Sequence, residues 1–392
     1  MLFHRLEFAD WRAGITALAL VAAATFSYAG RTIQVGPTRA VETIAQAAQL
    51  AKDGDTVEVD AGTYSGDVAT WMQNELLVRA VGGRARLLAN GVAAEAKAIW
   101  VIKGGHITVE GFDFEDARVP SRNGAGIRFE RGRLTVRNCS FMRNEMGLLT
   151  NNDVHAELIV EDSEFAHNGR PDGHNHNLYV GSIASLTVTG SYFHHGQTGH
   201  LLKSRASQNR IMYNRLTDEP DGHASYELEF PNGGIAYVVG NIIGQNRQTE
   251  NSALISFGAE GYKWPRNELY LVNNTMIDGM TFGGRFLRAK PGADIIKGVN
   301  NLLVGSALLG AESAGEFVNN FNIQLSELEP DLPQEYRLKT ASKLLTLAID
   351  PGRANRQDLK PSREYVHRLR TSALQSTAAH PGAVQRTGSK SP

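Results

Sequence analysis

Val136-Arg137-Asn138-Cys139-Ser140-Phe141 returns one coil later as Val160-Glu161-Asp162-Ser163-Glu164-Phe165. Each copy has a β-branched or apolar pair, a small or turn-forming residue, and an apolar residue three positions on. Upstream the pattern reads Val109-Glu110-Gly111-Phe112-Asp113-Phe114. Downstream it centres on Gly190, Tyr213, Gly240, Asn273 and Asn300, with Phe193, Leu216, Ile243, Met276 and Leu303 as the third-position apolar residues. The spacing between copies runs from 23 to 33 residues and averages 27. Internal repeats are weighed first because they decide the architecture.

Runs that are β-branched and punctuated by Gly and Asn make each unit strands and turns, not helix. A return of 27 residues suits a right-handed parallel β-helix, an all-β solenoid of about ten coils. A sandwich would show closer turns and no fixed return. Phe114, Phe141, Phe165, Phe193, Leu216, Ile243, Met276 and Leu303 are expected to stack as an interior column. Asn138, Asn214, Asn241, Asn274 and Asn301 are expected at tight turns, since Asn tolerates the left-handed region.

A second strand of each coil places Leu178, Leu202, Leu228 and Leu254 or Ile255 inward. Their neighbours Tyr179, Lys203, Glu229, Ser256 and Arg288 then face outward, with adjacent strands ~4.8 Å apart. Strict alternation also puts Asn177, Leu201, Glu227 and Leu254 outward on one side, and Gly181, Arg205, Pro231 and Gly258 on the other.

Around this skeleton, residues 1–29 read as a secretory signal peptide: a basic start, a short Ala-rich apolar core and a small-x-small end at Ala29. Export to a periplasm or beyond the cell follows, with no membrane association after cleavage. Residues 39–51 carry Val41, Ile44, Ala45 and Ala48 on one face, a helix expected to cap the open end of the solenoid. A single β-helix domain is expected over 30–370, with a partly disordered tail at 371–392. The lone Cys139 permits no intramolecular disulfide. A net charge of −1 argues against a nucleic-acid partner. A monomer is expected.

Asp53-Gly-Asp-Thr-Val-Glu-Val-Asp-Ala-Gly-Thr-Tyr64 resembles the opening of pectate-lyase-like β-helix proteins, where a helix leads into Gly-Asp-Thr, a strand and a Gly-Thr-Tyr turn. The resemblance implies the fold along nearly the whole chain and says little about activity.

The chemistry gathers in three coils. His174, His176, His194, His195 and His200 lie within 27 residues, alongside Tyr179, Lys203, Arg205, Glu227, Glu229 and Asn232. Each alone reads most simply as a solvated strand-face side chain. Together on adjacent rungs they can supply the separated acid and base that proton transfer needs. β-Elimination of a uronate needs its carboxylate neutralised, a base for the C5 proton, and an acid for the leaving oxygen. Arg205 suits the first as a bidentate clamp. Lys203, His200 or His176 suits the second, and Tyr179 the third. Asn177, His174, Glu227, Glu229 and Asn232 are the candidate substrate contacts. Glu229 beside Lys203 favours the ammonium form and keeps the histidines in contention as base.

The run Lys203-Ser-Arg-Ala-Ser-Gln-Asn-Arg-Ile-Met-Tyr-Asn214 resembles the Lys-Ser segment of chondroitinase B and alginate lyase-type β-helix lyases. That resemblance, about a dozen residues long, implies Lys203 as the base. The chain departs from the family at Glu229, where a catalytic arginine belongs, and in lacking the family's calcium-binding acidic motif. No cofactor is firmly implied, and calcium stays an open possibility.

Two rival chemistries remain. Asp172-x-His174-x-His176 has the alternation of a metal-binding strand. Glu227 and Glu229, ~6.6 Å apart on one strand, have a spacing near that of an inverting glycosidase pair. A C5-epimerase or a non-catalytic carbohydrate-binding solenoid also fits the scaffold. The expected function is a lyase acting on an acidic, uronate-containing polysaccharide.

Overall fold

The computed structural model describes residues 30–171, 175–309, 315–331, 335–376 and 378–385. The expected signal peptide, His174 and the end of the chain from 386 lie outside the described residues.

The chain winds as an all-β parallel solenoid of three faces. One face is a ten-stranded sheet running from Ala69–Trp71 through Leu178–Val180, Leu202–Ser204 and Leu228–Phe230 to Leu308–Leu309. The other two faces are joined at one end, because Thr56–Ser65 and Glu75–Leu88 run continuously round the corner, with a register shift between Asp60 and Gly62. Each strand pairs with its counterpart one coil away, so every coil repeats the register of the last.

The corner before the aromatic column explains the repeat. Gly111, Asn138, Asp162, Gly190, Tyr213, Gly240, Asn273 and Asn300 all have positive φ, between 47° and 86°. That left-handed residue turns the chain between two faces, which is why small or turn-forming types recur there. Gly240 has a second constraint: a Cβ there would come within 2.7 Å of the Tyr213 ring. Three residues on, Phe114, Phe141, Phe165 and Phe193 stack with centroids 5.0, 4.6 and 4.7 Å apart and rings nearly parallel. The column continues in register through Leu216, Ile243, Met276 and Leu303. Each fully buried ring or aliphatic chain contributes about 1.5–3 kcal/mol of transfer free energy.

The asparagines behave differently from the expectation. Asn138 does occupy the turn, but Asn214, Asn241, Asn274 and Asn301 sit one residue later, with side chains inside. They form a ladder. The Asn214 backbone N–H and Nδ2 both donate to Asn241 Oδ1, at 2.9 and 3.0 Å, and the pattern repeats to Asn274, Asn301 and Asn320. Ser163 and Ser191 continue it toward Cys139. The corner breaks the backbone ladder, and these side chains satisfy the amides that would otherwise be buried unpaired. Cys139 is buried beside them, its thiol pushed up to about 12 by desolvation, which leaves it unreactive.

Within 39–51 the helix is shorter than expected, Ile44–Leu50. Thr43 fixes its start: the Thr43 side chain accepts from Gln46 N while Gln46 Oε1 accepts from Thr43 N. The Asp67 carboxylate takes the Ile44 and Ala45 amides, so the first-turn donors are satisfied and the chain before Thr43 has no reason to coil. Of the expected tail, Ala383 and Val384 are buried against Ile242 and Tyr365.

Asn177, Leu201, Glu227 and Leu254 were expected to face outward; all four are fully buried. The strands after them are short, three residues in Leu178–Val180, so alternation stops at the corner and the preceding residue turns in. For Leu201 and Leu254 this suits the core. For Glu227 it is costly: neither carboxylate oxygen meets a hydrogen-bond partner from another described residue. Burial, with repulsion from Asp218, raises its pKa well above the ordinary value.

A carboxyl whose folded pKa is raised stabilises the fold only while protonated, so its contribution is complete below the unfolded value and is lost as pH rises through the folded value. Glu227→Gln should therefore match the native protein in acid and exceed its stability increasingly toward alkaline pH. The gain is about 1.4 kcal/mol for each unit of the shift. Denaturant unfolding across a pH series checks this, and a constant gap at all pH values would contradict it.

Candidate functional site

The ten-stranded face places Tyr179 beside Lys203 and Lys203 beside Glu229, in register, continuing to Ser256 and Arg288. The inward partners on the same strands are Leu178, Leu202, Leu228 and Ile255. The expected outward column is therefore present, although loops cover it enough that the Lys203 side chain is only 12% exposed.

Four groups converge on this column. Glu229 Oε2 lies 2.9 Å from Lys203 Nζ and 2.9 Å from His200 Nε2. Burial alone would raise the Glu229 pKa, but His200 and Lys203 outweigh it and hold the carboxyl below its ordinary range. His176 stacks on Tyr179, with ring centroids 5.4 Å apart, and on His200 at 4.6 Å. Its Nδ1 accepts the His200 backbone N–H at 2.9 Å, tying the two coils together. Arg205 lies over the Tyr179 ring and donates through Nη1 to the Tyr179 hydroxyl oxygen.

The remaining member is Glu260. Its two oxygens take Arg205 Nε at 3.0 Å and Nη2 at 2.6 Å, a bidentate clasp, and Oε1 also lies 3.2 Å from Lys203 Nζ. Glu260 arrives from an exposed loop bounded by Gly258 and Gly261, both at positive φ. Trp264 in the same loop donates Nε1 to the Arg205 carbonyl at 3.0 Å. The 33-residue interval before Asn273 had marked Glu260–Arg266 as an insertion beside the site, but Glu260 was not among the expected contacts. The carboxylate inside the longest interval was the signal.

Tyr179, His176, His200, Lys203, Arg205 and Glu229 thus form one cluster. Two expected contacts do not join it. Asn177 is interior: its Oδ1 accepts from Asn168 Nδ2 at 2.9 Å and its Nδ2 donates to the His194 carbonyl at 3.0 Å. Glu227 points into the core, so it cannot flank a bond with Glu229, and the paired-carboxylate geometry is lost. Asn232 is nearly buried in the turn after Leu228–Phe230, where its carbonyl accepts from Lys263 N. His174 and Asp172 of the strand-like metal motif lie outside the described residues.

Calcium does not fit the cluster. It takes six to eight oxygen ligands, whereas the acids here, Glu229 and Glu260, are each committed to lysine, histidine or arginine. A separate cavity of about 40 Å³, bounded by Arg215, Tyr365 and His367 beneath the C-terminal segment, has room for water and not for a sugar. The open strand face is the place for a polymer.

Glu229→Gln is expected to cost about 1–3 kcal/mol at neutral pH, the range for a hydrogen bond to a charged group. A carboxyl whose folded pKa is depressed stabilises above its unfolded value, so the deficit should close as pH falls through the folded pKa of Glu229. Thermal unfolding at pH 7 and in acid reads this, and a deficit unchanged in acid would assign the loss to packing.

No protein-family model matches the sequence, and no curated protein matches it. Among solved structures the chain is similar to a pectate lyase, Pel9A, with a TM-score of 0.60 and 13% identity, over 92% of this chain and 97% of that one. It also aligns with the ORF18 product of Geobacillus virus E2 at a TM-score of 0.49 and 12% identity, over 70% of this chain and 53% of that one. At these identities the likeness is one of fold, and the fold of this chain is that of the pectate-lyase-like right-handed parallel β-helices.

Proposed function

We propose that the chain is an exported polysaccharide lyase that cleaves a uronate-containing polymer by β-elimination. The carrying observation is the Glu260 carboxylate held bidentately by Arg205 and touched by Lys203. A site that binds one carboxylate in this way can bind the carboxylate of a uronate once the loop gives way, and planar bidentate recognition is what arginine does best.

In this reading the substrate displaces Glu260 and its carboxylate takes over Arg205, which withdraws charge from the uronate and acidifies the C5 proton. Lys203 removes that proton. The C5–H electrons form the C4–C5 double bond as the C4–O bond breaks, and Tyr179 donates its proton to the departing oxygen. The Arg205–Tyr179 contact uses the phenol oxygen as acceptor, which leaves the phenol proton available for transfer. His200 and Glu229 hold Lys203 in place, and His176 fixes the Tyr179 ring by stacking. Before it can act, Lys203 must shed a proton that Glu229 and Glu260 both favour, so loss of the Glu260 contact on substrate entry lowers the cost of that step. The hydrolase alternative is weakened because its second carboxylate, Glu227, lies in the interior.

The mature protein mixed with a panel of acidic polysaccharides should give rising ultraviolet absorbance from the unsaturated product, in step with new reducing ends. Lys203→Ala should lower the rate by about 10²–10⁴-fold, the usual contribution of a general base. If His200→Ala does so while Lys203→Ala does not, the base assignment moves to His200. Reducing ends without absorbance across the panel would overturn elimination in favour of hydrolysis. Binding without either product would support a carbohydrate-binding solenoid or an epimerase.

A further inference from the structure

The corner that follows the aromatic column carries a second group of histidines that the lyase reading does not use. His194 ends the strand Tyr192–His194, and His195 turns the chain at φ 45°. His167 holds the same place one coil earlier, at φ 55°, and its N–H donates to the His195 carbonyl at 3.1 Å. One ring nitrogen from each of the three lies within 4.8 Å of the others. His194 Nδ1 and His195 Nδ1 face each other at 2.5 Å. Two lone pairs cannot share that space without a proton or a cation between them.

The surroundings are those of a held ligand. His194 is nearly buried, its Nε2 is 2.8 Å from Glu164 Oε1, and Tyr192 stacks on its ring at 4.1 Å. A carboxylate on one ring nitrogen fixes the tautomer and presents the other nitrogen as a ligand, the arrangement found behind metal-bound histidines. Arg368 compensates the Glu164 charge, and Arg143, the cation nearest His167 in sequence on this corner, is itself paired with Glu115 and Asp116.

We infer that His167, His194 and His195 form a binding site for a first-row divalent metal of the zinc class, with an open fourth position. Three imidazoles are the ligand set such ions prefer, and calcium is not favoured by nitrogen donors. Tetrahedral coordination at about 2.0–2.1 Å would spread the close His194–His195 pair to roughly 3.3 Å. His167 is exposed and His195 half-exposed, so the fourth position faces solvent. Burial also favours the neutral rings a metal requires, pushing His194 and His195 down to about 4. The ion would clamp two successive coils at the corner that leads into His200 and Lys203. It is independent of the carboxylate site, which needs no metal.

Zinc binding to the tag-free mature protein, read by equilibrium dialysis, should saturate at one ion per chain and should not be displaced by calcium. His167→Ala removes an exposed side chain and should leave the fold intact while weakening binding at least tenfold. Glu164→Gln, which touches no metal, should weaken it by about 10- to 100-fold. His155→Ala, an exposed histidine elsewhere, should change nothing. Cobalt should give a visible spectrum typical of low-coordinate nitrogen ligation in the native chain and not in His195→Ala. Absence of stoichiometric binding, or equal affinity in the native and His167→Ala proteins, would overturn the site.

Discussion

Everything on this molecule's surface depends on a register set in its interior. At each turn before the aromatic column a residue in the left-handed region bends the chain, and the next side chain reaches up one coil to take the stranded amide. The Asn214–Asn241–Asn274–Asn301–Asn320 ladder, with its serine continuation, therefore links one coil to the next by side-chain hydrogen bonds as well as by strand pairing. A slip of one residue would bury the charged column of the ten-stranded face and leave every rung of the ladder unmade. Because the coils cannot slip, Tyr179, Lys203 and Glu229 arrive as neighbours from positions 24 and 26 residues apart in sequence.

What could be read without coordinates was the part governed by this periodicity. The repeat located the left-handed corners and the Phe114–Phe193 stack, because one steric requirement and one apolar requirement recur at a constant offset. The outward column followed from alternation. Alternation also misled: it holds only inside a strand, and three-residue strands have almost no inside. Asn177 and Glu227 sit one residue before such strands, at the corner, and both turn into the core. The asparagine reading erred by a single position for a related reason. Asn suits both the left-handed turn and the amide-capping place next to it, and residue type alone does not separate the two. Glu260 belongs to a loop, and no periodicity reports where a loop returns.

The electrostatics of the face are those of a filled site. Arg205 and Lys203 bring two positive charges to a partly desolvated surface, Glu229 balances one from below, and Glu260 balances the other from solvent. The inner carboxylate is locked by two partners. The outer one hangs on an exposed loop between two glycines and is the member that a competing carboxylate can replace. Exposed ion pairs contribute little, about 0–1 kcal/mol, so the exchange is cheap.

The most direct measurement is calorimetric titration of short uronate oligosaccharides and their neutral counterparts into the native protein, Glu260→Ala and Arg205→Ala. If Glu260 occupies a carboxylate site, the acidic ligand alone should bind, Glu260→Ala should bind it more tightly, and Arg205→Ala should lose it. Equal affinity for acidic and neutral ligands, or no gain on removing Glu260, would contradict a uronate site at Arg205 and Lys203.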